Sequence, residues 1–363
     1  MKFILKYTAA FLILIALVST SFADSAELQT TQSKPDDEKP KSGTIIIPIA
    51  SYRDETNVML GAAMIRYFKL DSATEKLSSL NAVGMYTFNN QMVLLLSTAL
   101  RYDDSTINLG ISHRNYPTRF YGIGNNVGDN YEEYTPYSFS AKAGYFHNLT
   151  ETFSVGSNIF VQSHKIIESG DIMLLSNGII PGLDDSFISG LTLEVKWDSR
   201  NGTFYPTDSS LVHLSASFFD NLIGSDYDFT TYTFDMRQYI GLDDKTVFAY
   251  QFYGSFSTGN VPFYMLSKYM LRGYYLGKFM DRNIIFARIE YRYLPVFWRL
   301  GFVTFASIGE IAGRLNEFST NNLKLAAGVG LRFIIDKAHK INFRFDIAIG
   351  DEISVYFAAM EIF

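Results

Sequence analysis

The side chains of this chain that could carry hydrolytic or metal chemistry are its histidines, serines and carboxylates. Its five histidines fall on separate predicted strands and turns, without the spacing that would bring two of them to one metal ion. The sequence contains no Gly-x-Ser-x-Gly elbow, phosphate-binding glycine loop or dinucleotide fingerprint, and it has no cysteine. We therefore expect a protein that is not an enzyme and that holds no cofactor and no metal. Spacing alone leaves open a hydrolase whose Ser, His and Asp come from different strands.

A second set of charged side chains alternates with apolar ones along the segment 284–294. Arg288, Glu290 and Arg292 occupy even positions, whereas the odd positions are apolar or aromatic. Because successive side chains of a β-strand point to opposite faces, this segment predicts a strand between lipid and water, with its charges facing the barrel interior. A guanidinium in such an interior loses hydration and needs a carboxylate or carbonyl partner.

The elements that would position these charges are transmembrane β-strands. Segments 323–335 and 341–349 carry apolar residues at every odd position, with Arg332, Arg344 and Asp346 among the even ones. Counting such segments gives about 16 strands, an even number as in single-chain bacterial barrels. The predicted fold is all-β, a transmembrane antiparallel β-barrel of about 16 strands. A soluble β-sandwich or soluble barrel is the alternative, and it would have to bury these apolar rows against a second sheet.

The connections between the predicted strands alternate in length. If the first strand starts in the periplasm, the short connections fall on that side, and the long ones, 116–135, 167–185 and 258–283, are extracellular loops. Short periplasmic turns and long extracellular loops are typical of outer-membrane barrels. An aromatic content of 16% and the absence of cysteine agree with an exported barrel.

The start of the chain predicts export to the outer membrane of a Gram-negative bacterium. Two lysines precede a short apolar stretch that ends in the triplet Ser-Phe-Ala, which is the layout of a signal peptide over 1–23. A short N-terminal anchor helix is the alternative. Residues 24–43 are polar and predict a flexible periplasmic linker, so the barrel is expected to cover 44–363.

A four-residue motif in the predicted 258–283 loop gives the sequence a family resemblance. Residues 271–274 read Leu-Arg-Gly-Tyr, which resembles the Val/Leu-Arg-Gly-Phe/Tyr motif of the bacterial surface antigen superfamily. These are outer-membrane assembly and translocation barrels of the BamA/TamA type. The resemblance implies a loop that folds back into the lumen, with Arg272, Gly273 and Tyr274 at its tip.

A second motif, over 198–207, supports the same resemblance. Asp198 and Arg200 match the family's Asp-x-Arg turn, and Pro206 matches the proline of the Phe-x-Pro-Thr that follows it. The alternation of connection lengths places this motif at a periplasmic turn.

The resemblance also implies acceptors for the loop arginine. Glu290 matches a carboxylate that receives it, while Ser307 replaces the aspartate of a second acceptor motif, Phe-x-Asp-x-Gly. The contact is then expected to be weaker or to rest on Glu290 alone. The alternative is that Arg272 lies in a solvated outer loop and pairs with Asp281.

The first and last predicted strands meet at a seam, which is the proposed lateral gate of the resembling family. Pro48 lies in the first strand and, having no N–H, suits an edge or a weakly paired seam, although a bulge or a strand end would also accommodate it. The last predicted strand, 353–363, carries a C-terminal aromatic signal. Phe357 and Phe363 share its expected lipid face with Glu361, a carboxylate that disturbs the pattern.

By resemblance, the function is assistance to the insertion or translocation of a protein or lipid client at the outer membrane. The 24–43 linker is too short for a periplasmic polypeptide-transport domain of the family's kind, so a periplasmic accessory protein is an expected partner, besides membrane lipid and an unfolded protein or lipid client. A net charge of −6 argues against nucleic acid. The alternatives are a passive channel and a surface-exposed antigen or adhesin.

Overall fold

The structure is a computed structural model that describes residues 42–53, 57–70, 77–169, 180–202, 204–336 and 341–363. The predicted signal peptide and residues 24–41 of the predicted linker lie outside the described residues. Among the residues described, no helix is long and apolar enough to cross a membrane. Single helical turns of the 3₁₀ type cover Asn221–Ile223, Phe263–Met265, Leu315–Glu317 and Thr320–Asn322.

Strands make up most of the described chain. The first ten are β1 (Ser42–Arg53), β2 (Asn57–Phe68), β3 (Ser78–Thr87), β4 (Met92–Tyr102), β5 (Ser105–Asn115), β6 (Thr118–Phe120), β7 (Glu132–Asn148), β8 (Phe153–Ser169), β9 (Ser186–Asp198) and β10 (Ser209–Phe219). The others are β11 (Phe229–Gly241), β12 (Thr246–Gly259), β13 (Ser267–Lys268), β14 (Met280–Asp281), β15 (Asn283–Phe297), β16 (Leu300–Ala312), β17 (Lys324–Asp336), β18 (Ile341–Ile349) and β19 (Ile353–Ala359).

The long strands form one antiparallel meander. Apart from the short strands β6, β13 and β14, each strand pairs with the next along the chain, β5 with β7 and β12 with β15. This leaves 16 long strands among the described residues, which confirms the predicted barrel fold. Short connections such as 103–104 and 242–245 lie at one end, here called the turn end. The opposite end, the loop end, carries longer connections such as 116–131 and 260–282.

The alternation of side chains predicted from sequence is confirmed on β15. Arg288, Glu290 and Arg292 are buried in the interior, whereas Ile289 and Tyr291 are exposed on the outside. A strand shows opposite faces to lipid and lumen because its side-chain period is two. The wall thus separates an apolar exterior from a charged interior.

The sheet is open between its first and last strands. β1 pairs with β2 along all twelve of its residues, while β19 pairs with β18 along seven. In the described strands, no hydrogen-bonded register joins β1 to β19. We call this break in the wall the seam.

Residues 260–282, here called the plug, connect β12 to β15 and fold back into the lumen. Tyr269, Leu271 and Phe279 form a buried cluster with side chains of β15 and β16, and a second cluster packs the plug against β6, β7, β9, β10 and β11. The Tyr269 hydroxyl donates to the Lys324 carbonyl at 2.9 Å. Burial raises the pKa of Tyr269, so this hydroxyl remains a donor.

Candidate functional site in the barrel lumen

Arg272, at the tip of the plug, is buried among three strands of the wall. Its Nη1 donates to Asp346 Oδ2 on β18 at 2.7 Å, and its Nη2 donates to Glu290 Oε1 on β15. The guanidinium carbon lies 3.3 Å from the centre of the Phe305 ring on β16. A planar guanidinium can bind carboxylates at its edge and stack on an aromatic ring with its face, so arginine suits this position. Arg272 therefore does not lie in a solvated loop beside Asp281.

Gly273 and Tyr274, which follow Arg272, pack the tip of the plug against β17 and against the hairpin of β18 and β19. Gly273 has a φ of +95°, and a Cβ there would lie 2.7 Å from Gly350 N, so glycine is required on both counts. Gly273 N donates to Tyr356 Oη on β19 at 2.9 Å, and Tyr274 Oη donates to a carbonyl of β17 at 2.8 Å. The tip thus contacts β15 to β19, the strands that lead to the seam.

The two carboxylates that hold the tip arginine each serve a second arginine. Asp346 Oδ1 accepts from Arg332 Nη1 at 2.6 Å, and Glu290 Oε2 accepts from Arg292 Nε at 2.9 Å. All four side chains and Arg272 are buried. Because a buried charge is stable only when it is paired and hydrogen-bonded, removing one member affects the others. We call these five side chains the ion network.

Ser307 does not supply the second acceptor. It lies on β16 opposite Arg288 of β15, and the second carboxylate comes from Asp346 on β18 instead. The expectation that the contact rests on Glu290 alone is therefore wrong. The even position of Asp346 within 341–349 already pointed its side chain toward the lumen, although not toward Arg272.

The last four residues, 360–363, here called the tail, leave the wall and enter the lumen. The first of them has a φ of +65°, which ends β19. The Glu361 carboxylate accepts from Arg332 Nε at 2.9 Å, and Arg292 Nη2 donates to Phe363 O at 2.8 Å. The tail is therefore bound to the same two arginines that support the plug.

The prediction that 353–363 forms a single strand, with Glu361 and Phe363 facing lipid, is wrong. Phe363 is 4% exposed, and its ring centre lies 4.6 Å from the guanidinium carbon of Arg288 inside the lumen. Of Phe357, Glu361 and Phe363, only Phe357 remains on the outer face, with 47% exposure. A carboxylate facing lipid would have no cationic partner, whereas in the lumen it neutralises a buried arginine.

The turn between β9 and β10 lies at the turn end and borders the ion network. Arg200 donates to Asp198 through two hydrogen bonds of 2.8 and 3.0 Å, and Pro206 is buried. The ring centre of Tyr205 lies 5.8 Å from the guanidinium carbon of Arg292. The structure therefore brings Asp198 and Arg200 together as a bidentate pair that shapes the turn.

Side chains of strands near the seam join the two sides of the wall. Pro48 lies on β1, the bordering strand, opposite Ala62 of β2. At the turn end, Tyr67 Oη of β2 donates to the Asp336 carboxylate of β17, so this hydrogen bond links the two sides of the seam. Within the described residues, no group of three metal-ligating side chains could hold a metal ion.

Comparison with known families identifies the chain. The Omp85 superfamily domain matches residues 72–357, a span that contains the plug, the ion network and most of the wall. The chain belongs to the Omp85 superfamily. The suspected resemblance to the surface antigen barrels is confirmed.

Two solved structures resemble this Omp85 chain in fold. BamA from Haemophilus ducreyi lacking POTRA domains 1–3 has a TM-score of 0.58 at 15% identity, over 89% of this chain and 70% of that chain. CdiB from Escherichia coli has a TM-score of 0.59 at 12% identity, over 90% of this chain and 63% of that chain. The chain thus spans less than two thirds of the length of CdiB. Among curated proteins, none matches this chain. At these identities, the likeness concerns the fold.

Proposed function

We propose that this Omp85 barrel assists the insertion or translocation of a protein or lipid client at the outer membrane of a Gram-negative bacterium. The observation that carries the proposal is the seam between β1 and β19. Backbone N–H and C=O groups at an unpaired strand edge can accept another strand, and lipid tails cannot satisfy them. A wall without backbone hydrogen bonds between β1 and β19 opens at a lower cost in free energy than a fully paired wall.

The plug supports this function over that of a passive channel. It is fixed by a buried arginine and packs against both sides of the lumen wall. A porin needs a clear path for solutes, whereas a client that leaves sideways needs none. We propose that the turn end faces the periplasm, where a separate accessory protein delivers the client, and that the barrel acts without catalytic chemistry.

A crosslink across the seam tests the proposal, and the natural chain offers a clean background because it has no cysteine. Tyr67→Cys combined with Asp336→Cys places two thiols on opposite sides of the seam, where a cleavable bismaleimide can join them. The matched control joins Thr44→Cys to Arg66→Cys, which pair across β1 and β2 and leave the seam free.

The readouts are two rates in proteoliposomes: the folding of a small outer-membrane barrel added from outside, and the exchange of a fluorescent phospholipid between leaflets. We expect the seam crosslink to abolish the activity that the unmodified protein shows, and cleavage of the crosslinker to restore it. The control crosslink should leave that activity unchanged. Equal rates in the two crosslinked proteins would contradict a lateral opening.

A further inference from the structure

The tail fills a pocket of the lumen beside the turn between β9 and β10. The Phe363 ring centre lies 4.6 Å from the guanidinium carbon of Arg288 and 5.1 Å from that of Arg292. A guanidinium at such a distance is attracted to the face of an aromatic ring. The other buried side chains of the cluster around Phe363 are apolar or aromatic: Tyr205, Tyr239, Val247, Ala249, Leu294 and Ile334. The pocket thus fits an aromatic side chain held between apolar walls and two cations.

A second part of the pocket holds a carboxylate. Arg332 Nε lies 2.9 Å from both carboxylate oxygens of Glu361, and Asn342 Nδ2 donates to one of them at 3.1 Å. The Glu361 side chain is 1% exposed. The main chain of the tail is bound as well, since Arg292 Nη2 donates to Phe363 O at 2.8 Å. The pocket therefore matches a carboxylate that is followed two residues later by an aromatic ring.

Both arginines that bind the tail are also bound by carboxylates of the wall. Arg332 Nη1 donates to Asp346, and Arg292 Nε donates to Glu290. Removal of the tail therefore leaves neither guanidinium without an ion pair, so these side chains stay in position. The tail also lies outside the β18–β19 ladder, which ends at Ala359. Its four residues can leave the pocket without breaking any residue pair of that ladder.

The charges of an emptied pocket do not balance. The ion network contains three arginines and two carboxylates, and Glu361 supplies the third negative charge. Arg288 adds a further cation. It is buried and donates to the amide oxygen of Gln251, and in the described part of the chain no carboxylate forms an ion pair with it. Because a buried cation needs a counterion, the pocket without its tail favours another ligand that carries a carboxylate.

We propose that this pocket is a binding site for a peptide segment with a carboxylate followed two residues later by an aromatic side chain, and that the tail is its resident ligand. The proposal names a protein rather than a lipid as the client of the proposed function, and it rests on that function for the arrival of the client. A client segment replaces Glu361 at Arg332 and replaces Phe363 between the other two arginines. A lipid phosphate would pair with Arg332 but would leave the aromatic part of the pocket empty.

A resident ligand on the same chain weakens the binding of an added peptide. A tethered segment competes at an effective concentration on the order of millimolar. The apparent affinity of an added ligand falls with the fraction of molecules whose pocket is empty. Weakening the contacts of the tail should therefore strengthen the binding of the same sequence added as a separate peptide, whereas a tail that serves only as core packing predicts no such competition.

The test measures the binding of a synthetic peptide amide that has the sequence of residues 357–363 and a fluorophore at its N-terminus. Fluorescence anisotropy is recorded with the full chain in a nonionic detergent. Glu361→Gln with Phe363→Ala, here called the weakened-tail variant, should raise the affinity at least about tenfold, because the tail loses a charge-assisted hydrogen bond and its aromatic contacts. The matched control, Glu352→Gln with Phe297→Ala, makes the same changes at exposed positions and should bind like the natural chain.

Changes in the peptide test the two parts of the pocket. A peptide with Gln and Ala at the positions of Glu361 and Phe363 should bind the weakened-tail variant at least about tenfold more weakly than the original peptide does. Benzoylphenylalanine at the position of Phe363 locates the site, because it should form photocrosslinks to residues that line the pocket, such as Tyr239 and Leu294.

The peptide proposal is wrong if the natural chain and the weakened-tail variant bind the peptide equally, or if the changed peptide binds as tightly as the original one. Photocrosslinks confined to the outer face of the barrel would contradict it, as would displacement of the peptide by phosphatidylglycerol as effectively as by unlabelled peptide. If the weakened-tail variant does not fold, Glu361→Gln compared with Glu352→Gln answers the same question.

Peptide binding in detergent requires no opening of the seam. A failure of peptide binding therefore leaves the crosslinking result intact, and a failure of the crosslinking test leaves the binding result intact. The two proposals can be judged separately.

Discussion

Arg272 and Asp346 are 74 residues apart in the chain, yet their side chains are joined by a hydrogen bond of 2.7 Å inside the lumen. Asp346 also binds Arg332, and Arg332 binds Glu361 of the tail. A continuous set of buried, paired charges therefore joins the plug to the tail. Since the tail follows the last strand, we expect the state of the plug to be coupled to the strand that borders the seam.

Loss of the tip arginine should destabilise the barrel. Arg272→Met leaves Glu290 and Asp346 with fewer cationic partners, and breaking a buried ion pair costs about 3–5 kcal/mol. The free energy of unfolding in urea, followed by heat-modifiability on gels, measures the loss. Arg314→Met is the control, because its side chain is 80% exposed and should contribute little. Equal stabilities of the two variants would rule out a structural role for the docked arginine.

The tail should be released when its carboxylate is neutralised. Glu361→Gln removes the charge that Arg332 binds, so we expect carboxypeptidase to remove Phe363 faster from this variant than from the natural chain. Glu352→Gln, in the exposed turn before β19, is the control. If plug and tail are coupled, Glu361→Gln and Arg272→Met should show an interaction free energy of about 0.5–3 kcal/mol in a double-mutant cycle. Strict additivity would show that they act independently.

Close packing at the tip of the plug predicts a difference between two glycines. Gly273 and Gly277 both have positive φ values, +95° and +87°, but a Cβ at Gly273 would lie 2.7 Å from backbone whereas one at Gly277 has 3.5 Å to the nearest side-chain atom. Gly273→Ala should therefore be more destabilising than Gly277→Ala, by about 1–3 kcal/mol. Urea unfolding of the two variants provides the comparison, and equal losses would show that the close approach is unimportant.

Most of the wall could be predicted from sequence because the alternation of side chains is a local property. β17 and β18 carry apolar residues at every odd position and all of their charged residues at even ones, and the same rule pointed Glu290 toward the lumen. A buried arginine needs carboxylates, so its pairing with Glu290 followed from the chemistry and the family motif. The residues of the signal peptide prediction lie outside the described part of the chain.

The tail could not be predicted because its position depends on residues that are distant in sequence. Glu361 turns inward because Arg332 lies on another strand and lacks sufficient charge compensation without it. The irregularity was visible as a carboxylate on an expected lipid face, but only the fold shows where it binds. Asp346 was assigned to the correct face, while its contact with Arg272 required the path of the plug.

The loop end should respond to pH through Lys278. Its Nζ lies 2.6 Å from Asp129 Oδ1 and also contacts Asp351, which lowers the pKa of Asp129 and raises that of Lys278. The ionised Asp129 carboxylate stabilises the contact with Lys278 at any pH above the ordinary carboxylate pKa. This stabilisation is lost as the pH falls through the lowered pKa of Asp129. The protonated Lys278 ammonium group stabilises the same contact at any pH below the ordinary lysine pKa. This stabilisation is lost as the pH rises through the raised pKa of Lys278.

The contact between the 116–131 loop and the plug should therefore be strongest between about pH 4 and pH 10. Limited proteolysis of that loop, with a protease chosen for each pH range, should show maximal protection in this window. Lys278→Gln should remove the dependence. An unchanged pH profile in this variant would assign the protection to other contacts.

The most direct test of lateral opening is a distance measured across the seam by pulsed electron paramagnetic resonance. Spin labels at Ile46→Cys on β1 and Val355→Cys on β19 lie on the exposed outer face and report the separation of the two bordering strands in lipid nanodiscs. We expect a second, longer distance between the spin labels to become populated when client is added. A second protein, prepared by orthogonal labelling, carries the same spin labels together with the crosslinked Tyr67→Cys and Asp336→Cys pair. In that protein the longer distance should be absent. A single distance that neither client nor crosslink changes would contradict the opening of this barrel at its seam.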